Sequence, residues 1–104
     1  MTDKFVVLVT CGSAAEAKRI ARAVVEQRLA ACVNILRGEV TSIYRWKGKV
    51  ESAQERLLLI KTSRKHLAKL QVAVEHLHSY DVPEFIALPI AAGSSKYLSW
   101  MDEV

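Results

Sequence analysis

Apolar residues follow two kinds of pattern along the chain. Lys4–Cys11 and Leu57–Ile60 are almost uninterrupted apolar runs, which are typical of strands covered on both faces in the middle of a sheet. From Ser13 to about Leu29, and again over Arg64–His78, apolar residues instead recur at helical spacing. The pattern therefore predicts two central strands, each followed by an amphipathic helix.

The middle of the chain predicts a long hairpin. Cys32–Trp46 is rich in Val, Ile, Thr and aromatic residues, which favour strand, but it is about twice the usual strand length of ~5–6 residues. Gly38 is therefore expected to mark a bulge or bend within it. Lys47–Lys49 predicts a tight turn, and Val50–Thr62 predicts the returning strand.

The last third of the chain predicts one more strand and a short helix. Glu84–Ala91 is the predicted strand, and it contains Pro89. Because proline cannot donate to a strand ladder, this strand is expected at a sheet edge. The glycine and serines at 93–95 break the chain before a terminal helix over Lys96–Glu103.

The predicted order of elements is strand, helix, strand, strand, helix, strand, with an extra C-terminal helix. This is an α+β, ferredoxin-like βαββαβ sandwich, formed by one domain over residues 1–104. Its first and third strands lie inside the sheet and its second and fourth at the edges. A long, exposed edge strand favours pairing with another chain, so we expect a symmetric oligomer. The terminal helix adds apolar surface through Tyr97, Leu98, Trp100 and Met101.

Composition narrows the class of protein further. The 104 residues are 51% hydrophobic and 25% charged, which is ordinary for a globular domain. The longest apolar runs fall far short of the roughly 18 residues that a membrane span needs, and the start shows no basic segment before an apolar stretch. Two cysteines cannot form a disulfide scaffold, so a reduced, cytoplasmic protein is expected.

Five segments carry a resemblance to a known family. They are Leu29–Ile35, Thr41–Lys49, Ile60–Thr62, His78–Glu84 and Tyr97–Trp100. In this order they resemble the CutA family of divalent-cation tolerance proteins over nearly the whole chain. The sequence departs from the family at Ser79, where proline is usual, and this change removes no ligand-type atom.

The resemblance implies a tight homotrimer of ferredoxin-like subunits, mostly cytoplasmic in bacteria, without a defined catalytic reaction. It also implies tolerance to heavy metals and binding of copper or another divalent ion. The trimer is similar to that of the PII signalling proteins, which suggests an alternative function as a small-molecule sensor that uses the cleft between subunits. PII proteins carry a long loop between their second and third strands, whereas this chain has a short hairpin.

His78 and Glu84 are the candidate metal ligands, because they flank the turn before the last strand and fall in a stretch shared with the family. An imidazole and a carboxylate that meet in a cleft suit Cu²⁺, or alternatively Zn²⁺. The structural alternative is that His78 caps the preceding helix and that Glu84 forms an ion pair between subunits. No organic cofactor is expected.

Aromatic residues and a lysine in the shared segments form a second candidate set: Tyr44, Trp46, Lys61, Tyr97 and Trp100. They are expected to line a cleft between subunits that accepts a small anionic or metal-bearing ligand. The alternative is that the aromatic residues are simply buried in the interface, where they cover large areas and keep a polar group.

Three further features of the sequence concern possible chemistry. Cys32 is expected to pack as a small apolar group, and Cys11, just before a helix, is the more reactive thiol candidate because a helix N-terminus lowers a thiol pKa. Basic residues are dispersed among acidic ones such as Glu16 and Glu55. This mixture predicts solvated faces and no nucleic-acid binding.

Overall fold

The computed structural model describes residues 1–104 and contains five strands and three helices. In chain order they are β1 (Lys4–Cys11), α1 (Ala14–Glu26), β2 (Cys32–Ile35), β3 (Val40–Trp46), β4 (Lys49–Ser63), α2 (Arg64–Leu77), β5 (Ile86–Pro89) and α3 (Ser95–Met101).

All strands pair antiparallel, in the order β2-β4-β1-β5. The two strands with continuous apolar runs, β1 and β4, lie inside the sheet as predicted, and β5 with Pro89 lies at its edge. The remaining strand, β3, pairs with the N-terminal half of β4 and extends the hairpin beyond the other strands.

The predicted strand Cys32–Trp46 is divided into β2 and β3. Ile35 pairs with Leu58 and Val40 pairs with Glu55, so the four residues at 36–39 lie opposite two residues of β4. The extra residues cannot join the ladder, and they form a bulge that contains Gly38, as expected. The long strand β4 therefore pairs with two shorter strands, β2 and β3.

The hairpin turn is a two-residue loop. Lys47 and Gly48 have φ angles of 50° and 81°, and Trp46 pairs with Lys49 on either side of them. Positive φ at both central residues is the pattern of a type I′ turn, whose twist matches that of the strands it joins. Glycine satisfies this requirement at the second position without strain.

Three elements are shorter than predicted. The first helix ends at Glu26 rather than near Leu29, because Arg28 adopts a φ of 61° and the chain reverses there. The last strand covers Ile86–Pro89 and the terminal helix Ser95–Met101. A left-handed residue just after a helix is the usual way for a helix to end, although glycine is commoner there.

The helices α1 and α2 cover one face of the sheet. The core cluster joins side chains from both helices to the strands β1 and β4: Val7, Val9, Cys11, Ala17, Ile20, Ala21, Val24, Ala30, Leu58, Ile60, Leu70 and Val74. Side chains alternate between faces along a strand, so Val6, Leu8 and Leu59 point to the other face, where they are half-buried. Leu88, opposite Val6, is 46% exposed there.

No helix of the structure is long and apolar enough to cross a membrane.

Candidate functional site

A cleft of about 360 Å³ opens where β3, β4 and the loop after α2 meet. Its lining residues are aromatic, acidic or small: Thr10, Tyr44, Trp46, Glu55, Tyr80, Asp81, Val82 and Glu84. Tyr44 and Trp46 are two positions apart on β3 and therefore share a face of that strand. The loop residues come from the segment His78–Glu84, between α2 and β5.

Tyr80 and Glu55 form the inner part of the cleft. The Tyr80 hydroxyl donates a 2.9 Å hydrogen bond to Glu55 Oε2, and only 7% of Glu55 is exposed. Burial and this hydrogen bond raise the pKa of Tyr80 to about 12, so the hydroxyl stays a proton donor at neutral pH. A Cβ on Gly12 would lie 3.3 Å from that hydroxyl, which shows how closely the chain just after β1 approaches the ring.

The cleft carries negative charge, and Lys47 lies at its edge, with Nζ 5.9 Å from the centroid of the Trp46 ring. None of its lining residues is basic, and none of Glu55, Asp81 and Glu84 takes part in an ion pair within the chain. Burial, together with the charge of Glu55, raises the pKa of Glu84 above the ordinary 4.5. Carboxylates held close together in this way favour a cationic guest.

His78 lies behind the cleft and is not among its lining residues. Its Nδ1 accepts a hydrogen bond from the Tyr80 amide at 3.1 Å, so Nε2 carries the proton and donates to the Thr10 carbonyl at 2.7 Å. The ring also packs against the Tyr80 ring in a tilted arrangement, with ring centroids 4.7 Å apart and an angle of 46° between the planes. His78 thus ties the end of α2 to β1, and it would coordinate a metal only by giving up one of these bonds.

Glu16 completes the polar cluster around His78. It lies 3.6 Å from His78 Nδ1 and accepts a 2.8 Å hydrogen bond from the Ser79 amide. Burial acts to raise the pKa of Glu16, but the Ser79 hydrogen bonds, His78 and the Gly12 amide outweigh it and hold the pKa below 4.5. Glu16 and Glu55 are therefore buried, whereas the basic residues dispersed among them in the sequence, such as Lys18 and Arg45, are exposed as predicted.

No group of three His, Cys, Asp or Glu side chains is placed to hold a metal ion. Glu84 lies in the cleft and His78 behind it, so the proposed ligand pair stays a prediction. The oxygen donors that do face the cleft are those of Glu55, Asp81 and Glu84. A divalent ion held by them would need water or a second copy of the chain to complete its coordination.

The predicted aromatic and lysine set is divided between two places. Tyr44 and Trp46 line the cleft, whereas Lys61 lies six residues beyond Glu55 on β4, which corresponds to roughly 20 Å. Lys61 donates to Asn34 Oδ1 and pairs with Cys32 across the strands. Within one chain these residues form no common cleft.

Tyr97 and Trp100 lie at the Cys32 end of the molecule, and their ring centroids are 5.4 Å apart. Burial and the neighbouring Cys32 raise the pKa of Tyr97. The other cysteine, Cys11, is fully buried, and burial raises its pKa. The expectation that Cys11 is a reactive thiol is therefore wrong, because desolvation outweighs its position before a helix.

The interpretation of the sequence missed Glu55, Tyr80 and Asp81 as cleft residues. Tyr80 and Asp81 lie within the shared segment His78–Glu84, which was a usable signal. Glu55 lies in a mixed run of charged and polar residues, Glu51–Arg56, and nothing in that run distinguishes it from an exposed glutamate. Its hydrogen-bond partner in the cleft, Tyr80, is 25 positions away in the chain.

Known proteins match the chain over nearly all of its length. The curated divalent-cation tolerance protein CutA of Thermus thermophilus is 55% identical over 98 residues, which is 94% of each chain. The chloroplastic protein CutA of Arabidopsis thaliana is 50% identical over 92% of this chain. This chain spans about half (52%) of the Arabidopsis protein.

Solved structures of known proteins superpose on this fold over nearly the whole chain. The divalent cation tolerance protein of Thermus thermophilus superposes with a TM-score of 0.91 at 53% identity, over 94% of each chain. The periplasmic divalent cation tolerance protein CutA of Archaeoglobus fulgidus superposes with a TM-score of 0.92 at 38% identity, over 96% of each chain.

The sequence profile of the CutA1 divalent ion tolerance proteins matches residues 5–104. Because this profile and a relative with 55% identity both extend over nearly the whole chain, the protein belongs to the CutA1 family of divalent ion tolerance proteins.

Proposed function

We propose that this chain is the subunit of a ferredoxin-like homotrimer that binds a divalent cation at the cleft and carries out no catalytic reaction. The observation that carries the proposal is the placement of Glu55 and Glu84 in one cleft, with neither of them in an ion pair within the chain. The names of the relatives, which refer to tolerance of divalent cations, agree with a cation as the ligand.

Electrostatics explains why the cleft favours a cation. A buried carboxylate is costly unless it is paired or well hydrogen-bonded, and Glu55 has one side-chain donor, the Tyr80 hydroxyl. A divalent ion near Glu55 and Glu84 would offset the charge of both. Because Glu55 is buried, less water screens its attraction to the ion than screens that of Glu84, which is exposed at the edge of the cleft.

Copper is the ion that the resemblance suggests, with zinc as the alternative. Glu84 supplies a carboxylate ligand to the ion from the cleft. His78 is the imidazole that a borderline ion such as Cu²⁺ prefers, and it serves as a ligand if its ring releases the Tyr80 amide or the Thr10 carbonyl. If His78 keeps both hydrogen bonds, it affects the metal site only indirectly, by holding Tyr80 in place.

The trimer accounts for two features of a single chain. The sheet face that carries Val6, Leu8 and Leu59 lacks a covering helix pair, and Leu88 is exposed there. The cleft also offers too few donors to hold an ion by itself. Association through this face and the projecting hairpin would cover the apolar surface and bring further side chains, such as those of Lys61, Tyr97 and Trp100, close to a neighbour's cleft.

The test is titration calorimetry of the assembled protein with Cu²⁺. We expect saturable binding to the wild type and at least about tenfold weaker binding to Glu84→Gln, since one charged ligand is removed. Glu75→Gln, which removes an exposed carboxylate on α2, is the matched control and should bind like the wild type. Equal copper affinity in the wild type and Glu84→Gln would contradict the site.

The alternative is a small-molecule sensor of PII type. The aromatic residues Tyr44, Trp46 and Tyr80 in the cleft favour it, because a bare metal ion needs no such walls. The negative charge of the cleft argues against nucleotides and other anions as its ligand. A thermal-shift screen in which nucleotides raise the melting temperature and divalent metals do not would favour the sensor over the metal-binding protein.

The place of the protein in the cell stays a prediction. A cytoplasmic location is expected from the sequence, whereas two relatives are named as chloroplastic and periplasmic. Fractionation of cells that express the tagged full-length gene would decide between these compartments.

A further inference from the structure

The outer surface of the helices α1 and α2 combines positive charge with a partly apolar groove. We propose that this groove binds an acidic amphipathic helix of a partner protein. The apolar face of that helix would lie in the groove, and its carboxylates would contact the basic side chains beside it. The inference goes beyond the proposed function, because it involves neither the cleft nor a metal ion.

The positive charge of the chain is concentrated on the two helices. Residues 14–28 and 64–77 contain seven of the 15 basic side chains and three of the 11 acidic ones, a balance of +4 that equals the net charge of the whole chain. All seven basic residues are exposed, whereas one of the acidic residues, Glu16, is buried and accepts a hydrogen bond from the Ser79 amide. Basic residues that are dispersed in the sequence therefore share one surface in the fold, and such a surface attracts anionic partners.

A groove of about 670 Å³ lies on this surface, between α2 and the chain that follows α1. Its apolar lining comes from Leu29, Ala68, Val72 and Ala73, and no acidic residue lines it. Val72 is 67% exposed, so a partner that covered it would remove apolar surface from water, which favours binding.

The arrangement of charge around the groove suits an acidic helix. Lys69 lines the groove and takes part in no ion pair within the chain. Lys65 precedes it by four positions and Val72 follows it by three, so the three side chains share a face of α2. A helix laid in the groove would present apolar residues to Val72 and Ala68 and glutamates to the two lysines. A nucleic acid would match the charge alone, since no aromatic side chain lines the groove to stack on its bases.

The groove stays accessible in the proposed trimer. The helices cover the sheet face that carries Val7 and Val9, whereas the proposed contacts between subunits use the opposite face, with Val6 and Leu8, and the projecting hairpin. Val72, on the outer side of α2, lies away from these contacts. Each subunit of the assembly would therefore offer one groove.

The experiment measures the fluorescence anisotropy of a labelled synthetic peptide that is titrated with the assembled protein. The peptide carries leucine on one helical face and glutamate on the other over about five turns. A second peptide of the same composition has its leucines scattered around the helix. We expect saturable binding of the first peptide and at least about tenfold weaker binding of the second.

Substitutions on the two helices locate the binding site. Lys69→Glu should weaken binding of the first peptide about tenfold, because it replaces an attraction with a repulsion. Lys18→Glu makes the same change of charge at an exposed residue of α1 that does not line the groove, and its affinity should stay within about twofold of the wild type. Val72→Glu places a carboxylate in the groove and should abolish binding.

The outcomes separate this inference from the proposed metal site. Glu84→Gln should weaken Cu²⁺ binding and leave peptide binding unchanged, so either proposal can fail while the other stands. Equal affinity for the two peptides, or wild-type affinity in Lys69→Glu, would overturn the inference. Absence of saturable peptide binding to the wild type would also overturn it, and binding of phosphatidylserine vesicles or duplex DNA in its place would assign the surface to a charge-only partner.

Discussion

At the scale of the residue, a few long-range hydrogen bonds give the cleft its chemistry. His78 fixes the Tyr80 backbone through Nδ1, and the Tyr80 hydroxyl fixes Glu55. Glu84 lies in the same cleft, where burial and, to a smaller extent, the charge of Glu55 raise its pKa. His78 thus influences the cleft without lining it.

The raised pKa of Glu84 predicts how the binding of cations depends on pH. A cation competes with a proton for this carboxylate, so affinity should begin to fall at a pH above the 4.5 of an ordinary glutamate. Cu²⁺ affinity, measured by calorimetry between neutral pH and pH ~5, tests this. In Glu84→Gln the affinity should be lower and should vary less over that interval. A wild-type affinity that is constant down to pH ~5 would contradict the prediction.

Glu84 also makes the stability of the fold depend on pH. Stability increases as the pH falls, whereas the affinity for a cation decreases. Because its pKa is higher in the folded than in the unfolded state, the folded state binds the Glu84 proton more tightly. Stability contributed by Glu84 is therefore lost as the pH rises through this interval and regained as the pH falls. The carboxylate thus costs stability at neutral pH, which is common for groups retained for binding.

At the scale of the element, the terminal helix α3 is tied to the start of β1. Lys4 is 2% exposed and donates to the carboxylates of Asp3 and Asp102. The hydrogen bond to Asp102, followed by that to Asp3, raises the pKa of Lys4. Met101 is buried beside these contacts, and Arg28 donates to the Glu103 carbonyl at 3.2 Å. The helix therefore docks through charge as well as apolar contact.

Asp102→Ala is expected to lower the free energy of unfolding by about 1–3 kcal/mol, because the buried Lys4 ammonium loses one of its two charged acceptors. Urea unfolding followed by tryptophan fluorescence would measure the change, and a Trp46→Phe background leaves Trp100 on α3 as the only tryptophan. Glu26→Ala is the control, since its partner Arg22 is 81% exposed and exposed pairs contribute about 0–1 kcal/mol. Equal effects of the two substitutions would contradict a docking role for Lys4.

At the scale of the whole molecule, one chain is less compact than an isolated domain of its size. Its radius of gyration is 14.2 Å, compared with about 13 Å for a compact chain of this length. The β3–β4 hairpin extends beyond the other strands and exposes apolar residues at its tip, Ile43, Val50, Tyr44 and Trp46. A single chain thus leaves apolar surface uncovered on both the hairpin and the open sheet face.

Leu88→Glu should disrupt the proposed trimer, because it places a charge on the sheet face that carries Val6 and Leu8. Analytical ultracentrifugation should give a trimer mass for the wild type and a smaller mass for this variant. Val72→Glu, at a 67% exposed position on α2, adds the same charge on the helical side and should remain trimeric. A wild type that is monomeric at all concentrations would contradict the assembly.

The sequence by itself determined the elements and their order. Apolar runs predicted the central strands β1 and β4, helical spacing predicted α1 and α2, and Pro89 predicted an edge strand. These features are local, because the periodicity of side chains around a helix or along a strand follows from backbone geometry alone. The bulge near Gly38 was expected from strand length, but the division into β2 and β3 depended on the register with β4.

Only the tertiary structure decided which side chains meet. It buries Glu55 beneath Tyr80, uses both ring nitrogens of His78 within the fold, and separates Tyr44 and Trp46 from Lys61 by most of a strand. None of these contacts is visible from spacing, because each joins residues from different elements. The negative charge and the chemistry of the cleft follow from such contacts. A glutamate within a polar run has the same sequence pattern whether water or a tyrosine covers it.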